Sequence, residues 1–580
     1  MNFVSSEIAG RRALAAAAVA ALALLVGNLG PVRAGEQDLH LSDWTTLSVG
    51  RTKWGSTVFC GPDGQVFAFV GNSVDTGLRR SFDFGRTFDG PTLIPEEDPG
   101  EVVGRTRLLY VENTGRLTHL WLQQGPAGGE RDLTVNVSED WGATWLPRAI
   151  QVNEDNSREV LRYDSARAED GTMFLTYADR DLSTPIHGLW FTRSLDGGYS
   201  FDPPAPFWSE ENARLTVIPR SLLTSVEGDL VALIVHFDEV DDSILRLYAR
   251  TSFDDGATFA DPVLVDPVGE SIESEALSTG PGGLVHVVWA GSRNGSLRDV
   301  FYARSTDHGL SFAPPVRLDT SSAPNATRSR LVSIASGATG HVVVSWLEGA
   351  EVHVNASHDG GASWDGDESL GAGIVGSGGP RLSANGSGHV ALFWQASHPD
   401  GVGVMATSSR DHGVTWLPAP IRMDLPENLA AEHSVAIDAA GRIYTAWDEE
   451  SIEGTTLRHE SFLRSAFPTL GMSAVARNDS DGVLVIPPEG LRMEYDVTLR
   501  NHHPAEALAG LTVWLEAKLP SGRTVGPLAG PFTVTIAPGT RKRKPVRKFF
   551  PGAKPAGVYE LVLRTSGAID DAVFAPIVKQ

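Results

Sequence analysis

The chain has 580 residues, and 48 Lys+Arg against 72 Asp+Glu leave a net charge of −24. That balance argues against a nucleic-acid partner, which calls for a basic footprint. With 41% hydrophobic residues and 14 Trp, wholesale disorder is excluded. The single cysteine, Cys60, excludes an intramolecular disulfide and any cysteine-cluster metal site.

At the N-terminus, Arg11 and Arg12 precede an apolar Ala/Leu/Val run from Ala13 to Val26. Val32 and Ala34 then stand at the −3 and −1 positions of a cleavage site, so residues 1–34 read as a secretory signal. The run is too short and Ala-rich for a membrane span, although an uncleaved anchor is the alternative. No cysteine follows it, which argues against a lipoprotein. The expected mature chain is secreted or periplasmic, with no membrane attachment after cleavage.

Seven segments then share the pattern Ser-x-Asp-x-Gly-x-Thr/Ser-aromatic: SFDFGRTF from Ser81, SEDWGATW from Ser138, SLDGGYSF from Ser194, SFDDGATF from Ser252, STDHGLSF from Ser305, SHDGGASW from Ser357 and SRDHGVTW from Ser409. Their aspartates, from Asp83 to Asp411, recur at intervals of 57, 56, 58, 53, 52 and 52 residues. Each motif has the chemistry of a tight turn. The carboxylate accepts from turn amides, the glycine supplies a conformation other residues resist, and the final aromatic buries its ring. Strand-like runs such as LVALIVHF from Leu230 and HVVVSWL from His341 flank the motifs. Each repeat therefore reads as four short strands, the blade of a β-propeller in an all-β fold.

The motif resembles the Asp-box, or BNR repeat, of the sialidase (neuraminidase) superfamily, over roughly residues 40–465. The resemblance implies a propeller whose Asp-box aspartates are structural, and it leaves the reaction open because non-catalytic propellers carry the same motif. The span holds nearly eight periods. A motif-free eighth repeat follows, SVAIDAAGRIYTAWDEE from Ser434 and TTLRHESFL from Thr455, and the N-terminal WTTLSV from Trp44 would complete it. Eight blades is the expected number, with six or seven open.

After residue 466 the period stops. LRMEYDVTL from Leu491, LTVWLEAKL from Leu511, FTVTI from Phe532 and VYELVLRT from Val558 resemble an immunoglobulin-like β-sandwich over 466–580. This stretch carries 14 basic and 10 acidic residues, against the acidic remainder. Arg541, Lys542, Arg543, Lys544, Arg547 and Lys548 read as an anion-binding patch or as a guarded edge strand.

In such a topology the motif turns share one end of the ring, and the first strand of each blade opens at the other. Aligning strand starts on the following Gly turn places Trp54, Arg107, Arg162 with Tyr163, Arg220, Glu273 with Glu275, Arg330, Arg381, and Glu432 with His433 around that mouth. Arg107, Arg162, Arg220, Arg330 and Arg381 are the expected ligand-binding residues, since guanidinium forks match planar carboxylates. Pairing with neighbours, such as Arg162 with Asp164, is the alternative use of these charges.

Sialidases hold a carboxylate with three arginines and use a tyrosine nucleophile, a glutamate that activates it and an acid/base aspartate. The resemblance places Glu273, in ESEALSTGPGG, on the glutamate. The Phe-Arg-Ile-Pro motif is absent, Lys53-Trp54-Gly55-Ser56 standing there, and its echo is VIPR ending at Arg220. His433-Ser434 occupies the place of the family's Tyr-Ser pair, and Tyr163 is the tyrosine on the inferred ring. Glu273, Tyr163 and His433 are thus the candidate catalytic residues.

The acidic stretches Asp238, Glu239, Asp241, Asp242 and Asp448, Glu449, Glu450 leave structural calcium open, without the spacing of a known calcium loop. Trp289, Trp346, Trp394 and Trp447 read as inter-blade core or as sugar-stacking platforms. No phosphate loop, serine elbow or paired-His motif is present, and no cofactor is expected. Three functions follow: an exported propeller binding a glycan or other anionic ligand, an exo-glycosidase with a rearranged site, or a non-catalytic protein-interaction scaffold.

Overall fold

A computed structural model describes the chain from Leu39 to Lys579 apart from connecting stretches, the longest of them 209–216, 321–328 and 477–483. The expected signal segment 1–34 and the acidic stretch 238–242 lie outside the described residues. Every regular element among the described residues is a β-strand, from Leu39–Leu41 to Asp571–Lys579.

Up to Pro468 the described strands form eight consecutive antiparallel sheets, numbered 1 to 8 in chain order from the strand Thr52–Cys60. Sheet 3 is typical: Arg158–Arg167, Met173–Asp181, His187–Ser194 and the two-residue Ala205–Pro206 pair in that order. Sheet 8 is assembled from both ends of this region. Leu429–Ile437, Ile443–Glu453 and Thr456–Pro468 are joined by the N-terminal Thr45–Val49 and Leu39–Leu41, both antiparallel to Thr456–Pro468.

Continuous apolar runs explain the packing. The second strand of each repeat is buried on both faces, as in Val342–Glu348, because a sheet lies on either side. Each junction then has its own core. Leu133, Val135 and Val137 of sheet 2 meet Met173, Leu175 and Tyr177 of sheet 3. Val58, Val66 and Ala68 of sheet 1 meet Tyr444, Ala446 and Leu463 of sheet 8, so the last sheet packs on the first. Trp289, Trp346, Trp394 and Trp447 are all fully buried in these cores, which excludes them as sugar platforms.

The first strands of sheets 3 to 7 touch their successors, and that of sheet 8 touches that of sheet 1. Serine hydroxyls tie several of them. Ser274 Oγ accepts from Val332 N at 3.2 Å, Ser333 Oγ from Leu382 N at 3.1 Å and Ser434 Oγ from Val58 N at 3.2 Å.

Past Pro468, three residues beyond the expected boundary, two further sheets enclose one core built around Met472, Tyr495, Leu515 and Leu561. One has three strands and the other five. The basic cluster lies on Arg541–Pro551, an exposed edge strand that among the described residues pairs only with Gly490–Asn501. Arg547 Nε meets Glu494 at 2.9 Å and Arg543 meets Asp496 at 2.5 Å, so part of this charge is locally neutralised. Charge on an edge strand discourages pairing with other chains.

Candidate binding site

The two ends of the ring of sheets differ in construction, and the difference locates the candidate site. At one end lie the seven aspartate turns. In the second, Asp140 accepts from Ser138 Oγ at 2.9 Å, Thr144 N at 2.7 Å and Thr144 Oγ1 at 2.7 Å, while Ser138 Oγ accepts from Gly142 N at 2.8 Å. The same bonds recur around Asp83, Asp254, Asp307 and Asp411.

The residue after each aspartate adopts a left-handed backbone, with φ between 54° and 82°, and so does the glycine that follows. Sequence reasoning identified the glycine but missed the residue before it, since Phe84, Trp141, Asp255, His308 and His412 have no chemistry in common. Trp141 N, His308 N and His412 N donate to the carbonyls of Gly115, Gly283 and Gly388 in the hairpin turns between first and second strands. Both sets of turns therefore share this end.

These carboxylates are spoken for. Burial opposes ionisation of Asp83, Asp140, Asp196, Asp307 and Asp359, yet hydrogen bonds from the turn outweigh it and hold each below the usual range. Bonds from Thr258 bring Asp254 down to about 2. The C-terminal unit sits against this end: Arg500 lies over the Phe84 ring at 4.1 Å, and Glu560 approaches His341.

At the opposite end the first strands begin, and nearly all of them are irregular. Register shifts fall between Val160 and Arg162, Pro219 and Ser221, Ile272 and Ser274, Arg330 and Ser333, and Ala431 and His433. The inserted residues include Arg220, Glu273 and Glu432. A bulge of this kind re-aims side chains and ends regular pairing. In sheet 6 the bulge contains Leu331 at φ 56°, the one described non-glycine residue with positive φ outside the aspartate turns. A bulky residue held there stores strain, and such strain clusters at functional sites.

The structure thus sets the expected residues on equivalent stretches of successive first strands. Arg162 and Arg381 are exposed, and Glu273 and Glu275 are half-buried. For Trp54, Arg107, Arg220, Arg330, Glu432 and His433 the strand position is defined, and the side chains lie outside the described residues. Tyr163 is turned between sheets: its hydroxyl donates to the Leu120 carbonyl of sheet 2 at 3.0 Å, and its ring packs on the core there.

Other arginines near this end are paired. Arg158 makes a two-pronged contact with Asp179 at 2.7 Å on both oxygens, and Glu159 accepts from Arg131 and Arg180 at 2.7 Å each. Carboxylates are therefore interleaved with the guanidinium groups, which relieves self-repulsion. The acidic stretch after Trp447 is no calcium loop of exposed ligands: Asp448 and Glu449 are buried, and Glu449 accepts from Trp447 Nε1 at 2.7 Å.

A concavity of about 310 Å³ lies inside the C-terminal unit, lined by Leu499, Leu515, Phe532, Val546, Lys542 and Lys544 among others. Its apolar walls suit hydrocarbon better than sugar.

No protein-family model matches the chain, and no curated protein matches its sequence. Among solved structures, the Hadza microbial sialidase Hz136 is 16% identical, covering 56% of this chain and 71% of its own, with a TM-score of 0.33. The α-L-arabinofuranosidase Arb93A from Fusarium graminearum, in complex with an iminosugar inhibitor, is 14% identical, with coverages of 55% and 94% and a TM-score of 0.35. A polysaccharide lyase of a family designated PL25, an ulvan lyase, is 10% identical, with coverages of 68% and 98% and a TM-score of 0.40. Likenesses this weak carry no argument about activity.

Proposed function

We propose that the chain is an exported eight-bladed β-propeller of the sialidase-like kind, which binds a glycan or other anionic ligand at the bulged end of its axis. One observation supports this reading: the repeated bulge on the first strands, whose inserted residues include Arg220, Glu273 and Glu432, with the strained Leu331 beside Arg330. The aspartate-turn end repeats one hydrogen-bond pattern from sheet to sheet, whereas the irregularities fall on the first strands at the other end. Guanidinium groups interleaved with carboxylates suit a ligand bearing both an anionic group and hydroxyls.

The test is binding of the Arg220→Ala/Arg381→Ala double variant to an array of acidic and neutral glycans. At least a tenfold loss of retention is expected, with the melting temperature nearly unchanged. Undiminished binding by the double variant overturns the reading, and binding of protein partners alone would favour a scaffold.

Hydrolysis is the second reading, favoured by the position of Glu273, a half-buried carboxylate inserted by a bulge at the mouth. There Glu273 would act as the general base or activator, with His433 as the reacting partner. A panel of fluorogenic glycosides, sialosides included, decides it: turnover lost in Glu273→Gln supports catalysis, and no turnover at high protein concentration ends it for those substrates.

A further inference from the structure

Two histidines of the ring and one glutamate of the C-terminal unit meet in a buried cluster where the two parts touch. His341 precedes the second strand of sheet 6, and His412 is the left-handed residue of the seventh aspartate turn. Glu560 lies on Gly557–Ser566. The three are 6%, 5% and 4% exposed. The imidazole rings stack with centroids 3.7 Å apart, and His341 Nδ1 lies 3.7 Å from Glu560 Oε1. One ligand atom from each residue falls within 4.8 Å of the other two.

We propose that His341, His412 and Glu560 form a divalent transition-metal site, taking zinc by preference, that fastens the C-terminal unit to the ring. The donor set decides the metal class. Two imidazole nitrogens and one carboxylate suit zinc, whereas calcium asks for six or more oxygens. Zinc bonds of about 2.0–2.1 Å in a tetrahedron set ligand atoms about 3.3 Å apart. The cluster therefore needs a contraction of at most about 1.5 Å, and the two rings, 10° from parallel, must tilt apart to aim their in-plane lone pairs at one ion.

Lys518 Nζ sits 2.9 Å from Glu560 Oε2, so it holds the carboxylate while leaving Oε1 turned toward His341. Its positive charge also opposes a bound dication. A second grouping, Glu348, His353 and Asp367, lacks this character. There Glu348 already accepts from Trp346 Nε1, and Asp367 from the amide and hydroxyl of Thr320.

The experiment is calorimetric titration of the full chain with zinc chloride after chelator treatment and dialysis. One zinc per chain is expected, and cobalt(II) should give the ligand-field absorption of a four-coordinate site. Glu560→Gln and His412→Asn should each weaken zinc binding by at least about 100-fold. Asparagine is chosen at 412 because it tolerates a left-handed backbone. Lys518→Met should tighten binding by removing the opposing charge. No zinc uptake by the unaltered chain, a measurement independent of any variant's folding, overturns the proposal. So does unchanged uptake by both ligand variants.

Discussion

The aspartate-turn end of the ring and its bulged end are made by the same repeated strands, yet they obey opposite rules. At the first, seven of the eight repeats satisfy their turn in the same way: one carboxylate, one serine hydroxyl and two consecutive left-handed residues. At the second, serine bridges tie the strands together, but the residues that open them change from repeat to repeat among arginine, glutamate, tyrosine and histidine. Uniformity marks architecture, because each sheet must pack on the next with one geometry. Variation on a repeated scaffold marks the end released from that duty.

The largest expected effect comes from breaking a turn at its glycine. A Cβ at Gly142, where φ is +77°, would stand 2.3 Å from Leu78 Cδ2 of the neighbouring sheet. Backbone strain and overpacking together predict a loss of about 3 kcal/mol or more for Gly142→Val in urea denaturation. Gly366→Ala is the control: its φ is +112° but nothing lies within 4 Å, so strain alone should cost about 1 kcal/mol. Equal losses in the two variants would show that packing between sheets does not depend on the turn.

Next in size is the carboxylate itself. Asp140→Asn removes an ionised acceptor from Ser138 and Thr144, a loss of about 1–3 kcal/mol. The pH dependence has a fixed sign. Folded-state values below the ordinary carboxylate value of about 3.9, down to about 2 for Asp254, mean the contribution is complete above about pH 4 and is lost as pH falls through the folded values. Acid titration of stability should show that fall, and Asp140→Asn should make it shallower. An unchanged acid limb would remove the turns from the stability account. Mutating the bulged end, by contrast, should leave this limb untouched.

How much of this was legible in the chain depends on whether a signal is local. The strand order, the seven turns and the completion of sheet 8 by the N-terminal segment follow from a period and from alternating runs, which are properties of neighbours in sequence. The burial of Trp289 and its counterparts follows from their place in doubly covered strands. The bulges were not legible, because an inserted residue changes no composition; only cross-strand pairing shows that Glu273 is the extra residue opposite Gly291 and Ala290. The junction of His341 and His412 with Glu560 was equally hidden. It joins parts of the chain that share no motif, and nothing in 466–580 announces which end of the ring it meets.

The smallest effect tests whether Tyr163 belongs to the architecture or to the mouth. It sits at the expected ring position, but its hydroxyl donates to the Leu120 carbonyl across the gap between sheets 2 and 3. Tyr163→Phe removes that bond and little else, so a destabilisation of about 1 kcal/mol is expected in denaturant titration. Glycan retention should stay within twofold of the unaltered chain, because the phenol is already committed to a neighbouring sheet. A large loss of binding with no loss of stability would reverse the assignment. It would mean that the hydroxyl leaves Leu120 when ligand arrives, and that the bulged end is remodelled on binding rather than preformed.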